Sequence, residues 1–596
     1  MGKFEFFTLL ILSNEQLLSS VVSIKKPSCS TILKKVKMKN KLFILLILIS
    51  TNLIAQPELT SVLLGGNNND YSFASCFDAD DNVIVIGAIR GTDLYITDTL
   101  NPNFDQTNKN ILIRKYSEDM TQLLNSSIIC GSGHDYGRAI AIDSQQNVFI
   151  AGFTYSNDFP VTANAYQQTY NISGEYDAYI LKLNPTLDTI LAATYFGGEG
   201  KDGIYNVQID AYDNVFVTGS TQSDDNIATE GTYDNTYNGT SNSIFHFGDM
   251  FVAKFDNNLE NCLAATYVGS VGDEAGYSMT INNNNNIVLV GATDNGNYPT
   301  TENVYQPNYK GGMDAFVSVL SNDLTMLINS TFVGGNAYDI GWDISYNASS
   351  STYIICGETK STNYPTTDGV VLNHLIDQEN GFISVLSADL QNLNASTYIG
   401  GSCWWDILTT VDAANQEIIF GGMSDALDLP TTPNAYDPDF NGGYGDAYFG
   451  ILNSDLTEYQ YLSYLGGNND DQIWNVAANS GDVYINGTTY SSDFESDSTF
   501  SGQSDVFLSR LEGLHVSTPE PTISDKVFTV YPNPVQNTLF FETDFDYKTI
   551  RITNILGETI TYKTGINAVQ QINVSNFKPG TYFIEIDGKT QKFVKQ

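Results

Sequence analysis

Histidine is nearly missing from this chain, with four in 596 residues. His134, His246, His374 and His515 stand at unrelated places in the pattern described below, which argues against a Ser-His-Asp triad or a His-ligated metal. Cysteine is scarce as well. Beyond the apolar N-terminal run only Cys76, Cys130, Cys262, Cys356 and Cys403 remain, an odd number without close spacing. They form neither a disulfide framework nor a zinc motif, and read as small hydrophobes within strands. Cations are few: 27 Lys and Arg face 68 Asp and Glu, for a net charge of −41. Such a surface repels phosphate backbones and anionic membranes, so nucleic acid is not an expected partner. Divalent cations are its natural attraction. Helical periodicity is absent throughout, and so is a phosphate-binding glycine loop.

Long apolar runs are missing except near the N-terminus. Residues 38–55 lie within "MKNKLFILLILISTNLIAQ", where Lys39 and Lys41 precede the apolar Leu42 to Ile49 and small Ala55 precedes a cut. That is the layout of a secretory signal peptide, too short to form a stable membrane span. Residues 1–37 fit no targeting layout and are expected to be an extension upstream of a true start at Met38.

Folding capacity is present. Hydrophobic residues make up 42% and aromatics 12%. "TYFGGEGKDG" at 194 has counterparts along the chain, so that the first glycine of the motif falls at 65, 131, 197, 269, 334, 400 and 466. Between these points the wording is constant. In the second unit "YGRAIAID" and "NVFIAGFT" alternate, a polar stretch with "NDFPVTANAY" follows, and "DAYILKLN" and "ILAATYFGG" complete it. Period-2 alternation bounded by Asn, Asp and Gly means four strands per unit, A to D. Seven such units predict an all-β fold, a seven-bladed propeller over residues 56–513. The seventh unit has no D strand, while "ELTSVLLGG" from Glu58 is a surplus one. The N-terminal strand is therefore expected to close the ring.

These units resemble the SBBP family of bacterial beta-propeller repeats. The resemblance rests on Asp177-Ala178-Tyr179, Asp314-Ala315-Phe316 and Asp446-Ala447-Tyr448, and on Phe159-Pro160-Val161-Thr162, Tyr298-Pro299-Thr300-Thr301, Tyr364-Pro365-Thr366-Thr367 and Leu429-Pro430-Thr431-Thr432. Units one, three and seven lack the proline wording. The family implies a fold and leaves the ligand open.

After a linker at 514–525, residues 526–596 alternate between Gly, Asn and Pro turns as a small β-sandwich would. This tail resembles the type A C-terminal sorting domain of the type IX secretion system of Bacteroidetes. The residues that carry the likeness are Tyr531-Pro532-Asn533-Pro534, Asn554 to Gly557, Lys578-Pro579-Gly580-Thr581-Tyr582 and Lys595. It implies the type IX machinery as a partner, and a secreted or cell-surface destination reached through the periplasm and outer membrane.

Two features bear on function. Each Gly-Gly or Gly-Ser should turn sharply, with φ > 0, from one blade's outer strand to the next blade's inner one. An acid follows each time: Asp70, Asp135, Asp202, Asp273, Asp339, Asp406 and Asp471. On the same face, strand C opens with Asp177, Asp249, Asp314, Asp446 and Asp505. These carboxylates either accept backbone N–H groups and lock their turns, or gather Ca²⁺ as compensation for crowded charge. The B–C loops, about 20 residues each, carry Tyr, Asn, Asp, Ser and Thr. They either hold a ligand or cover the blade ends. The expectation is a binding module for an extracellular glycan or protein. A glycan-active or other hydrolytic enzyme is the competing class.

Overall fold

The computed structural model describes residues 57–91, 96, 98–100, 107–171, 175–239, 248–404, 406–414, 416–514, 529–531, 535–542, 549–554, 559–564, 571–578, 580–586 and 589–595. The expected signal peptide, the segment ahead of it and most of the linker lie outside them. Among the described residues there is no helix, and seven antiparallel sheets follow one another from Glu58 to Glu512. The second is typical: Asp135–Ile142, Val148–Thr154, Asp177–Leu183 and Ile190–Phe196 pair in sequence order. In the first blade a two-residue strand, Asp98–Thr99, adds in parallel to the outer strand Leu123–Ile129.

The ring closes as the missing D strand demands. Glu58–Leu63 pairs antiparallel with Asp505–Glu512, placing Leu59 opposite Leu511 and Leu63 opposite Phe507. Alternation then sends neighbouring side chains to different blades. Leu63 joins Phe507, Phe449 and Ile419 at the junction with blade six, while Leu64 joins Val506, Val83 and Leu112 at the junction with blade one. Five further apolar clusters fill the remaining junctions. Each sheet thus buries both faces against its neighbours, at about 1.5–3 kcal/mol per large side chain.

The B–C segments occupy the rim. Phe159, Tyr298, Tyr364 and Leu429 are buried plugs. Beyond them Thr162, Thr301, Thr367 and Thr432 each donate an N–H to a carbonyl of strand D. Each threonine hydroxyl accepts a strand D N–H in return, at 3.0–3.2 Å. The outer edges are therefore covered and unavailable for strand addition. The same segments clasp the next blade: the N–H groups of Tyr166, Tyr233, Tyr305 and Val371 donate to the carbonyls of Leu259, Leu324, Leu390 and Leu456. Those leucines sit at φ between 56° and 58° with fully buried side chains, so local strain is offset by burial and by the clasp. Along this stretch, the loops cover the blade ends.

Every strand A carries one irregularity. Its ladder to strand B slips by one residue at the same place, leaving Phe73, Arg138, Tyr205, Tyr277, Trp342, Thr409 and Trp474 without opposite numbers. A bulge of this kind re-aims the extra side chain. Here strand A is innermost, and the side chain turns to the axis of the ring.

The tail forms two sheets, one of Thr529–Tyr531, Thr538–Glu542 and Gln571–Asn573, the other of Thr559–Thr564, Thr549–Asn554, Gly580–Ile586 and Lys589–Lys595. They share a core of Leu539, Ile550, Ile552, Ile584 and Phe593.

Candidate functional site

The acids that follow the glycine turns are buried, and their neighbours are hydrogen-bond donors. The N–H groups of Gly66, Gly131, Gly198, Gly335 and Gly467 donate to Asp70, Asp135, Asp202, Asp339 and Asp471, in each case four residues on. In three blades the threonine ending strand B also donates: Thr154 to Asp135, Thr221 to Asp202 and Thr359 to Asp339. Two residues later a serine does the same, Ser156, Ser223, Ser361 and Ser491 reaching their carboxylates at 2.8–2.9 Å. Each acid ties the turn between blades to the end of strand B.

Two expectations are corrected. In blade four the locking residue is Glu274, which accepts from the N–H and hydroxyl of Ser270 and from Thr293. Asp273 only precedes it, its own N–H donating to Asp294. Counting four residues from the donor selects Glu274, a signal present in the sequence. The turn glycines also do not require φ > 0, which only Gly400 adopts, at 131°. They are needed for close approach. A Cβ on Gly197 would lie 2.5 Å from an oxygen of Asp202 and 3.0 Å from one of Asp177, and Gly269 and Gly334 meet two acids in the same way.

Each such glycine therefore marks a meeting of two carboxylates from adjacent blades. One oxygen each of Asp177, Asp249, Asp314 and Asp446 is buried without a partner among the described residues. Desolvation raises these groups above the usual carboxylate range, to about 7 for Asp177, Asp314 and Asp446 and about 8 for Asp249, with the facing acid adding to the rise. Burial likewise pushes Asp135, Asp202, Asp339 and Asp471 to about 6, and Glu274 and Asp406 to about 7. In blade six Asp406 accepts from the Tyr448 hydroxyl at 2.6 Å. Strand C opens with Asn110 in blade one and Asn380 in blade five, so two junctions hold a single acid. Among the described residues no three acid, His or Cys side chains are placed to hold a metal.

Inside the turn ring lies a cavity of about 330 Å³ on the axis, lined by the bulge residues. Five are aromatic. Tyr277 and Trp342 lie 4.3 Å apart between ring centroids, Tyr205 and Tyr277 6.0 Å, and Phe73 and Trp474 6.0 Å. The Arg138 guanidinium stands 4.4 Å over the Phe73 ring and 5.8 Å from that of Tyr205. The next layer is polar: Ser75 donates to Asn475 at 2.8 Å, and Asn206 to Ser278 at 3.2 Å. Ser278 in turn donates to Asp343 at 2.7 Å. Sequence reading missed this site, because a one-residue slip is invisible in an alternating pattern.

In the tail, the Tyr582 hydroxyl donates to the Lys578 carbonyl at 2.9 Å, and its ring stacks on Phe593. Tyr531 pairs with Phe540, and Gly580 and Thr581 pair with Lys595 and Val594. Lys595 is buried. Pro532, Asn533, Pro534 and Pro579 lie outside the described residues.

Comparison with known proteins decides the two parts. Residues 128–160 match the beta-propeller repeat, and residues 529–596 the secretion system C-terminal sorting domain. The chain thus carries an SBBP-type beta-propeller repeat and a C-terminal sorting domain of the type IX secretion system. It is thereby marked for export by that system, to the cell surface or the medium. Among the described residues no helix is long and apolar enough to cross a membrane. No curated protein matches the chain. Among solved structures it is similar to PorZ, a bacterial surface component of the type IX secretion system of Porphyromonas gingivalis, at 11% identity and a TM-score of 0.36. The alignment covers 90% of this chain and 60% of PorZ. It is also similar to the Myceliophteria thermophila Cps50 (Swd1) beta-propeller domain, at 5% identity and a TM-score of 0.37, covering 76% of this chain and 99% of that one.

Proposed function

We propose that this exported propeller is a binding module whose ligand, a glycan or a protein, enters the axial channel. One observation carries the reading: the seven blades repeat the same strand A slip, yet at the bulge they present Phe, Arg, Tyr, Tyr, Trp, Thr and Trp. Identical scaffolding with a varied lining is how a rigid fold builds a specific concave site. Aromatic side chains supply large contact areas at low entropic cost. A hydrolytic role would need an acid and a nucleophile open to the channel, whereas the paired carboxylates lie beneath the turns.

The strand A acids act in this reading as locks. Their N–H and O–H neighbours are what a carboxylate seeks and what a bound cation would have to displace. A glycan and protein array tests the module, run with and without EDTA and repeated with Trp474→Ala and Tyr277→Ala. Ligand capture that falls in both variants supports the channel. Capture unchanged in both would move the site elsewhere and overturn the reading.

A further inference from the structure

Arg138 is out of place on charge grounds. In a chain with 68 acids and 27 basic residues, Lys182 pairs with Asp143, Lys115 with Asp78, and Arg510 with Asp482 and Glu512, while Arg114 and Lys254 donate to Ser126 and Asn322. Among the described residues Arg138 has neither ion pair nor hydrogen bond. Its contacts are the Phe73 and Tyr205 rings. Burial lowers its pKa, but arginine remains charged at any working pH. The strand A slip delivers this side chain to the axis at a position where no other blade places a charge. The indole N–H groups of Trp474, whose ring borders Phe73, and of Trp342 are further buried donors without a hydrogen-bond partner among the described residues.

We propose that the channel binds one acidic sugar residue, a uronate, with Arg138 as the clamp for its carboxylate. The proposal rests on reading the channel as the ligand site. These unpartnered groups all donate, so the ligand must bring lone pairs. A planar guanidinium, already oriented by its stack on Phe73, matches a carboxylate with two parallel N–H bonds. Tyr205, Tyr277 and Trp342 line the cavity with aromatic surface, which suits the apolar C–H side of a pyranose. Ser75 and Asn475, with Asn206 and Ser278, ring the next layer with hydroxyl and amide groups suited to sugar hydroxyls. The acid of that layer, Asp343, is occupied by the Ser278 hydroxyl and the Val411 N–H. A cavity near 330 Å³ sits at the lower end of ligand sites, which run about 300–1,000 Å³. That suits a residue at a chain end. A long polyanion threading the disc would also meet the field of the remaining acids.

Tryptophan fluorescence of the mature full-length protein provides the test, titrated with digalacturonate, the neutral disaccharide of the same linkage, a sulfated disaccharide and a short peptide with a free C-terminal carboxylate. Digalacturonate is expected to bind best, to weaken as salt rises, and to lose at least about tenfold in Arg138→Gln. Arg138→Lys, which keeps the charge and loses the fork, should recover part of that loss, and melting curves establish that both variants fold. If Arg138→Gln does not fold, Trp474→Phe takes its place and should weaken digalacturonate while leaving the neutral sugar unchanged. Equal binding of the neutral disaccharide, or unaltered affinity in the variants, overturns the proposal. Stronger binding of the sulfated sugar or of the peptide overturns the uronate assignment and names the other class. If digalacturonate fails while another array ligand depends on Trp474 and Tyr277, the acidic-sugar inference falls and the binding module stands.

Discussion

Two rings of residues lie next to each other around the axis and follow opposite rules. The turn ring repeats: a glycine or serine N–H, an acid four residues on, and hydroxyls from the end of strand B. The bulge ring repeats its backbone slip and varies the side chain. Repetition marks what each blade needs to join its neighbour. Variation on a repeated backbone marks what the ring can do that a single blade cannot. The comparison yields graded expectations, because the turn ring should respond in stability and the bulge ring in binding.

The largest effect should come from opening the ring. Deleting residues 58–64 removes Leu63 and Leu64 from two junctions at once and bares the strand Asp505–Glu512. At about 1.5–3 kcal/mol for each buried leucine, before the ladder is counted, the loss takes a large share of a net stability of about 5–15 kcal/mol. The expected outcome is insoluble or molten protein on circular dichroism. Cysteines at the facing positions Leu59 and Leu511 should cross-link. A soluble deletion variant with an unchanged melting point would mean that the ring does not depend on this strand.

Next comes a single methyl group. Gly197→Ala sets a Cβ against both Asp202 and Asp177. Overpacking of this kind costs about 1–3 kcal/mol. Arg138→Gln, on another blade's strand A, removes a charge that has no ion pair and should cost less than the added methyl. Denaturant midpoints for the two variants check the contrast, which collapses if the arginine proves the costlier change.

Much of this was legible in the sequence, and the gaps have physical causes. Seven blades, four strands each, and closure by Glu58–Leu63 follow from period-2 alternation and from the surplus strand, because a sheet buried on both faces must keep strict register. The acids were found because each follows a Gly-Gly or Gly-Ser turn, while the Thr-x-Ser after strand B that supplies donors in four blades went unread. The choice of Asp273 over Glu274 failed because side-chain type was weighed before spacing, and a longer side chain reaches the same donor. The channel stayed hidden. A bulge changes which way one side chain points without changing the composition around it, so Arg138 reads as one polar residue of strand A until the ladder is seen to slip.

A moderate, pH-dependent effect separates the rings further. Asp177, Asp249 and Asp314 have folded-state pKa values raised to about 7, 8 and 7 from an ordinary carboxylate value of 3.8. The folded protein therefore holds these protons more tightly than the unfolded chain does. Their stabilising contribution is complete below about pH 4 and is lost as pH rises through 6 to 8. Urea midpoints should fall from pH 5 to pH 9. Asp249→Asn should flatten part of that fall, since Asn110 and Asn380 already open strand C in other blades. A midpoint that climbs over this range would show that the pairs are stable as carboxylates.

The smallest expected effect concerns calcium, and it decides between the two uses of the acids. A cation bound only by the folded state stabilises it by about 2.7 kcal/mol at a hundredfold excess over its dissociation constant, a shift easily seen in melting. To reach Asp202, Ca²⁺ would have to displace the Gly198 N–H and the hydroxyls of Thr221 and Ser223. Each such bond is worth about 0.5–1.5 kcal/mol net, and each displaced donor would be left buried without an acceptor. The melting point in millimolar Ca²⁺ should therefore equal that in EDTA, apart from the screening that any salt gives a chain of charge −41. Mg²⁺ at matched ionic strength isolates that screening. A rise specific to Ca²⁺, lost when Asp202 and Asp339 become Asn, would make the turn ring a cation site, and the distinction between a structural ring and a binding ring would have to be withdrawn.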